Sequence, residues 1–181
     1  MDRRFDSALP HAWCFVSLDA TDCPIEEPAP FDAKWFSHKL HHAGVKYEIG
    51  LNIRTGNIVW VFGGVPCGEY SDLKLARGKY VHQLTFGEKT IADDTYKDPN
   101  YFIYPSAVET TLESARFQKK IMARHETVNQ RLKCFSVLSR RYRHNEHSHI
   151  SCFYAVANIT QLMIQNGEPL YDLKFNDEEL L

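Results

Sequence analysis

The first patterned stretch, His11-Ala-Trp-Cys-Phe-Val-Ser-Leu-Asp19, is a short apolar run closed by Asp19 and the turn-like Thr21-Asp-Cys-Pro24. It predicts a buried strand. Glu26 to Gly44, with Pro28 and Pro30 inside and Pro24 just before, predicts a loop with local structure. Val45, Tyr47, Ile49, Leu51 and Ile53 then alternate with more polar neighbours, the period of a strand. Thr55-Gly56-Asn57 supplies a turn, and Ile58 to Phe62 the returning strand of a hairpin, which Gly63-Gly64 ends. Ser71 or Asp72 caps a helix over Leu73 to Arg77, and Lys89 to Asp93 forms a short strand ending in acid. From Glu109 the pattern turns helical through Ser139, with Ile121, Val128, Leu132 and Phe135 in one apolar stripe. A last helix runs from His149 to Gln165, with Ile150, Phe153, Ala157 and Ile164 facing the core and Gly167 stopping it. That order predicts an α/β fold, a mixed sheet with helices packed on it, rather than a bundle or sandwich.

At 181 residues the chain is expected to form one domain, with a core over about 10–172 and an acidic tail at 173–181. Repeats and low-complexity segments are absent. No run approaches the apolar length of a membrane helix, and polar residues interrupt any signal-peptide core after Arg3 and Arg4. The expected location is therefore nuclear or cytoplasmic, neither secreted nor in a membrane. Cys14, Cys23, Cys67, Cys134 and Cys152 are odd in number and lack a C-x-x-C pair, which predicts free thiols. No Cys pair complements His38, His41 and His42 or His144, His147 and His149 at zinc spacing, so these read as solvated histidines near helix ends. Trp13, Trp60 and most tyrosines read as core. G-x-S-x-G and P-loop motifs are absent, leaving an α/β-hydrolase reading remote.

The formal charge of −2 conceals segregation. Lys119, Lys120, Arg124, Arg131, Lys133, Arg140, Arg141 and Arg143 face a single acid, Glu126, within residues 119–143, while both flanks are acidic. Such a basic stripe suits the phosphates of DNA without reading bases; the alternative is a solvated helix face. Two predicted strands end in acid, at Asp19 and Asp93. Carboxylates so placed form a ligand pair for Mg²⁺ or Mn²⁺, which prefer hard oxygen donors. A third ligand is offered by Glu126, which shares a helix flank with Asn129 and Lys133, away from the apolar stripe. Taken singly, these acids also read as a turn cap, a loop start and a solvated helix residue.

Three frames change that balance: Leu18-Asp-Ala-Thr21, Gly68-Glu-Tyr-Ser-Asp-Leu73 and Ile91-Ala-Asp-Asp-Thr-Tyr96. With Arg124-His-Glu-Thr-Val-Asn-Gln-Arg-Leu-Lys-Cys-Phe135, Tyr142-Arg-His144 and Cys152-Phe-Tyr-Ala-Val-Ala-Asn-Ile-Thr-Gln-Leu162, they resemble the DDE endonuclease domain of PIF/Harbinger-type transposases over residues 10–172. The resemblance implies an RNase H-like fold with the first Asp on the first strand, the second on the fourth and the Glu on a later helix. Carried over, these are Asp19, Asp93 and Glu126 as catalytic metal ligands, with Asp72 supporting the site. Asp22 and Asp94 stay open as alternates for Asp19 and Asp93. The implied chemistry is phosphodiester cleavage with two Mg²⁺ or Mn²⁺ ions about 3.5–4 Å apart and no covalent protein intermediate. Asp19 is the implied bridge between the ions.

Two departures qualify the resemblance. Asp94 and Thr95 stand where family members carry a basic or small residue and then Gly, which bears on metal affinity and loop geometry. The chain also leaves no room for N-terminal DNA-binding helices, so a separate DNA-binding partner is expected. A metal-dependent DNA endonuclease is the first expectation. The second is a domesticated, catalytically impaired relative serving as a DNA- or protein-binding scaffold.

Overall fold

The computed structural model describes residues 13–107 and 112–173. Its elements are β1 (Trp13–Pro24), β2 (Phe36–Ser37), β3 (His42–Asn52), β4 (Ile58–Pro66), α1 (Asp72–Gly78), β5 (Glu88–Ile91), β6 (Phe102–Ile103), α2 (Leu112–Lys133), α3 (Ser136–Ser139) and α4 (Glu146–Gln165). β3 lies between β1 and β4, antiparallel to both, and its first residues also pair with β2. β1 continues the sheet through β5 to β6 by parallel pairing. The long run β4-β3-β1-β5-β6 gives the expected RNase H-like mixed sheet, with β1 first in the chain and β5 fourth among these strands.

The alternation in β3 is real, and the strand is buried on both faces. Val45, Tyr47, Ile49 and Leu51 pack with Val128 and Leu132 of α2, Leu138 of α3, and Phe153 and Ala157 of α4. Leu18, Ala76, Tyr80, Ala92, Tyr96 and Phe102 fill the opposite face with Trp60 against them. Lys46 and Glu48 therefore lie in the interior, although the alternation places them on the more polar side. The Glu48 side chain accepts a hydrogen bond from the Trp60 indole N–H at 2.9 Å, while its other oxygen has no partner. Burial pushes the Glu48 carboxyl up to about 8, against the Trp60 bond, with nearby Asp72 adding to the rise. It is held mostly neutral at pH 7.

Several boundaries differ from the sequence expectation. Thr21-Asp-Cys-Pro24 extends β1 because β3, starting at His42, offers it antiparallel partners as far as Gly44. Gly63-Gly64 bends β4 without ending it. Tyr47 pairs with Gly63 and Lys46 with Val65, so Gly64 is the extra residue of a bulge. Both glycines have positive φ, and a Cβ on Gly63 would meet the Lys46 carbonyl oxygen at 2.5 Å. The long helix stops at Lys133, because Phe135 turns extended and starts the separate α3. The expected start of that helix at Glu109 lies outside the described residues. α4 begins three residues early, capped by the Asn145 side chain on Ser148 N at 2.8 Å.

His149 is wholly buried, not solvated. Its ring pairs with the Tyr47 hydroxyl at 2.7 Å, and Tyr47 also stacks on Phe153. All five cysteines are free, as expected. Among the described residues no helix is long and apolar enough to cross a membrane.

Two stability outcomes follow. Gly63→Ala is expected to lower the unfolding free energy by about 2–4 kcal/mol in urea titrations. Gly78→Ala, where a Cβ meets nothing within 4 Å, serves as the near-neutral control. Because the folded pKa of Glu48 lies above the ordinary glutamate value of 4.5, the unfolded chain ionises first, and stability falls as pH rises from about 4.5 to about 8. Glu48→Gln is expected to flatten that part of the stability profile, an effect of up to about 5 kcal/mol above pH 8.

Candidate active site

Parallel pairing of β1 with β5 aligns Ser17 with Ile91. Two residues beyond that last pair on each chain come Asp19, still within β1, and Asp93, just past the end of β5; both line one hollow. Asp19 is half-buried; one oxygen accepts from the Ala20 amide at 2.8 Å and the other from the Asn129 side-chain amide at 3.1 Å. Asp93 accepts from the Thr95 amide at 2.9 Å and from the Thr95 hydroxyl. Thr95, where the family pattern has Gly, thus fixes the second acid. Burial pushes the Asp19 carboxyl up to about 6; Lys39 opposes the rise, while Asp93 and Asp72 add to it. Asp19 and Asp93 therefore repel one another in a partly dry place.

A hollow of about 560 Å³ opens around them, lined by Asp19, Asp22, Asp72 and Asp93 together with Ser37, Lys39, Lys46, Cys67 and Thr95. Asp72 enters as the first residue of α1, behind the Ser71 cap on Lys74 N. Asp22 is paired in register with Lys46 on β1 and β3, on the face opposite to Asp19. The Lys46 ammonium is in contact with Asp72 and stands 3.6 Å from Asp22, whose second oxygen accepts from the Ser37 hydroxyl at 2.5 Å. Burial alone favours a neutral Lys46 amine, but Asp72 and Asp22 outweigh it and hold its pKa above the ordinary lysine value.

Glu126 is on the exposed side of α2 and lines an adjoining hollow of about 330 Å³ with Thr21, Lys39, Asn129, Gln130, Lys133 and Cys134. Lys39 lines both hollows. The structure thus brings Asp19, Asp93 and Asp72 into one hollow and puts Glu126 on the neighbouring lip, one helical turn before the Asn129 that bonds Asp19. Among the described residues no three His, Cys, Asp or Glu side chains already form a group able to hold a metal ion. The donor set nonetheless fits the chemistry of a hard divalent cation: the Asp19 and Asp93 carboxylates line one hollow and their charges oppose each other, and Glu126 carries its carboxylate on an exposed side chain. Of the alternates, Asp94 does not line the hollow and accepts from Ser106 N at 3.0 Å. Asp22 lines it but is engaged by Ser37 and Lys46.

The basic residues separate into two groups. Lys119, Lys120, Arg140, Arg141 and Arg143 are exposed, and Arg131 and Lys133 half-buried. Arg124 departs from the expected surface stripe. It is 2% exposed and donates to the carbonyls of Ile53 at 2.5 Å and Tyr171 at 2.6 and 2.9 Å. It clamps α2 to the sheet and the C-terminal segment. Arg131 likewise donates to the Glu168 carbonyl at 2.5 Å. Tyr142 bridges to Ile25, with Glu26 N to Tyr142 O at 2.7 Å and Tyr142 N to Pro24 O at 3.0 Å. This ties Arg141 and Arg143 to the same end of β1 that carries the acids.

Sequence reasoning missed Lys46, Ser37 and Lys39. Lys46 was visible as the one cation in an otherwise apolar and acidic strand, but nothing local marks that strand as buried on both faces. Residues 18–161 match the family described as DDE superfamily endonuclease. The probable transposase for insertion sequence element IS702 of Microchaete diplosiphon is 28% identical over 152 residues, covering 77% of this chain and 53% of that protein. The chain therefore spans about half the length of this relative. No solved structure matches the chain. The family match starts one residue before Asp19 and reaches into α4, enclosing Asp19, Asp93 and Glu126, and the chain belongs to the DDE superfamily endonuclease family.

Proposed function

We propose that the chain is the catalytic domain of a transposase-derived, metal-dependent DNA endonuclease, with Asp19, Asp93 and Glu126 as its metal ligands. The observation that carries this reading is that the parallel neighbours β1 and β5 bring Asp19 and Asp93 into one hollow, where their charges interact. The residues present fit Mg²⁺ or Mn²⁺, two ions in the full reading, which supply Lewis-acid charge and activate a water or 3′-hydroxyl for in-line attack on a phosphodiester. The protein's share is positioning. Asn129 holds one oxygen of Asp19, Thr95 holds Asp93, and Glu126 turns in from the lip of α2. Asp72 supports the site from α1. Lys39 and Lys133 face phosphate from the rim, while Lys119, Lys120, Arg140, Arg141 and Arg143 extend the contact along the DNA backbone.

DNA is the partner in this reading. The PIF/Harbinger affiliation, a nuclear location and a separate DNA-binding partner that supplies sequence recognition belong to the same proposal. A second reading, a relative that keeps the fold and DNA contact without cleavage, draws support from Lys46, whose ammonium already neutralises part of the acid cluster.

Plasmid nicking in Mg²⁺ or Mn²⁺ tests the first reading. Asp19→Asn, Asp93→Asn and Glu126→Gln are each expected to reduce nicking by about 10³-fold, several kcal/mol of barrier. Nicking that survives Asp93→Asn rejects the ligand assignment. Arg140→Ala with Arg141→Ala is expected to weaken DNA binding equally across sequences and to lower the salt slope by about 2.

A further inference from the structure

We infer that Lys46 is a positioning residue that keeps Asp22 and Asp72 out of the cation-binding set and so confines divalent cations to the Asp19–Asp93 side of the hollow. The inference rests on the proposed function, and it concerns which of the four acids in the hollow a cation reaches.

Four carboxylates line one cavity: Asp19 within β1, Asp93 just past β5, Asp22 on β1 and Asp72 on α1. The last two are already paired. Lys46 is 9% exposed, and its ammonium is in contact with Asp72 and 3.6 Å from Asp22. Ser37 occupies the second oxygen of Asp22 at 2.5 Å. The lysine is anchored in the middle of the sheet, its backbone paired with Asp22 on β1 and Val65 on β4. The Gly63-Gly64 bulge lies directly beside it. For a divalent cation to recruit Asp72, the Lys46 ammonium must be left buried beside a second positive charge, a costly arrangement. Asp72 nonetheless stands close enough to Asp19 for their charges to interact. The ammonium in contact with Asp72 withholds that carboxylate from a cation. A resident monovalent charge thus takes the place that another metal ion would otherwise fill, and sets how many cations the hollow accepts.

Calorimetric titration of the whole chain with Mn²⁺, without DNA, tests this. Lys46→Met is expected to take up one more Mn²⁺ per chain than the unaltered protein. Lys46→Arg, which keeps the charge, is expected to match the unaltered stoichiometry. The charge-balanced pair Lys46→Met with Asp72→Asn is expected to lose the extra ion and return to within about threefold of the original affinity. If Lys46→Met does not fold, as judged by circular dichroism, Lys46→Gln and the charge-balanced pair carry the comparison. Unchanged stoichiometry without the ammonium overturns the inference. So does a loss of about tenfold or more in affinity for the charge-balanced pair, which would make Asp72 a ligand in its own right. Should the unaltered chain take up no Mn²⁺ that depends on Asp19 and Asp93, the metal-dependent function fails. The Lys46 inference then still stands or falls on whether the variant without the ammonium gains an ion.

Discussion

Two carboxylates brought into one partly buried hollow, Asp19 from within β1 and Asp93 from just past β5, are the constraint around which this end of the molecule is arranged. β1 and β5 run parallel, so Asp19 within β1 and Asp93 just past β5 come to line the same hollow. An antiparallel partner would have sent the second acid to the far edge. The cost is visible at Asp19, whose carboxyl is pushed up to about 6 by burial, with its acidic neighbours adding to the rise. Much of the nearby structure limits that cost. Asn129 and Ala20 donate to Asp19, Thr95 donates to Asp93, and Lys39 lies on the rim.

The position of α2 follows from packing. Ile121, Val128 and Leu132 are buried, His125 bonds the Ser17 hydroxyl at 2.8 Å beneath the sheet, and Arg124 clamps the helix to Ile53 and Tyr171. These interior contacts fix the helix rotation that turns Asn129 to Asp19 and leaves Glu126 on the outer lip. Electrostatics then divides the surface. Acids concentrate at the strand ends with Lys46 set among them, and exposed Arg140, Arg141 and Arg143 lie beside the end of β1. The near-neutral total charge is a cancellation of these opposed regions.

Much of this was legible in the sequence. The hairpin alternation and most of the α2 stripe are local patterns, and each became the expected element; the first strand, expected to close at Asp19, instead runs on to Pro24. What escaped depends on partners far away in the chain. Thr21 to Pro24 reads as a turn and becomes strand because Gly44 to Tyr47 lie opposite it. Gly63-Gly64 reads as a stop and becomes a bulge because the ladder resumes at Val65. β6 is two residues long, too short to carry any period. Lys46 looks solvent-facing by alternation, and only the second core layer and α1 reveal that it points into the acid cluster. Arg124 and His149 look like surface charge and are interior anchors. No property of a single residue distinguishes them from neighbours that are exposed.

The most direct measurement is a crystal structure of the chain soaked in Mn²⁺, read by anomalous scattering. The account predicts an anomalous peak at a coordination distance of about 2 Å from both Asp19 and Asp93, with the Glu126 carboxylate turned in and Lys46 still on Asp72. A peak confined to surface histidines, or none between Asp19 and Asp93, would contradict it.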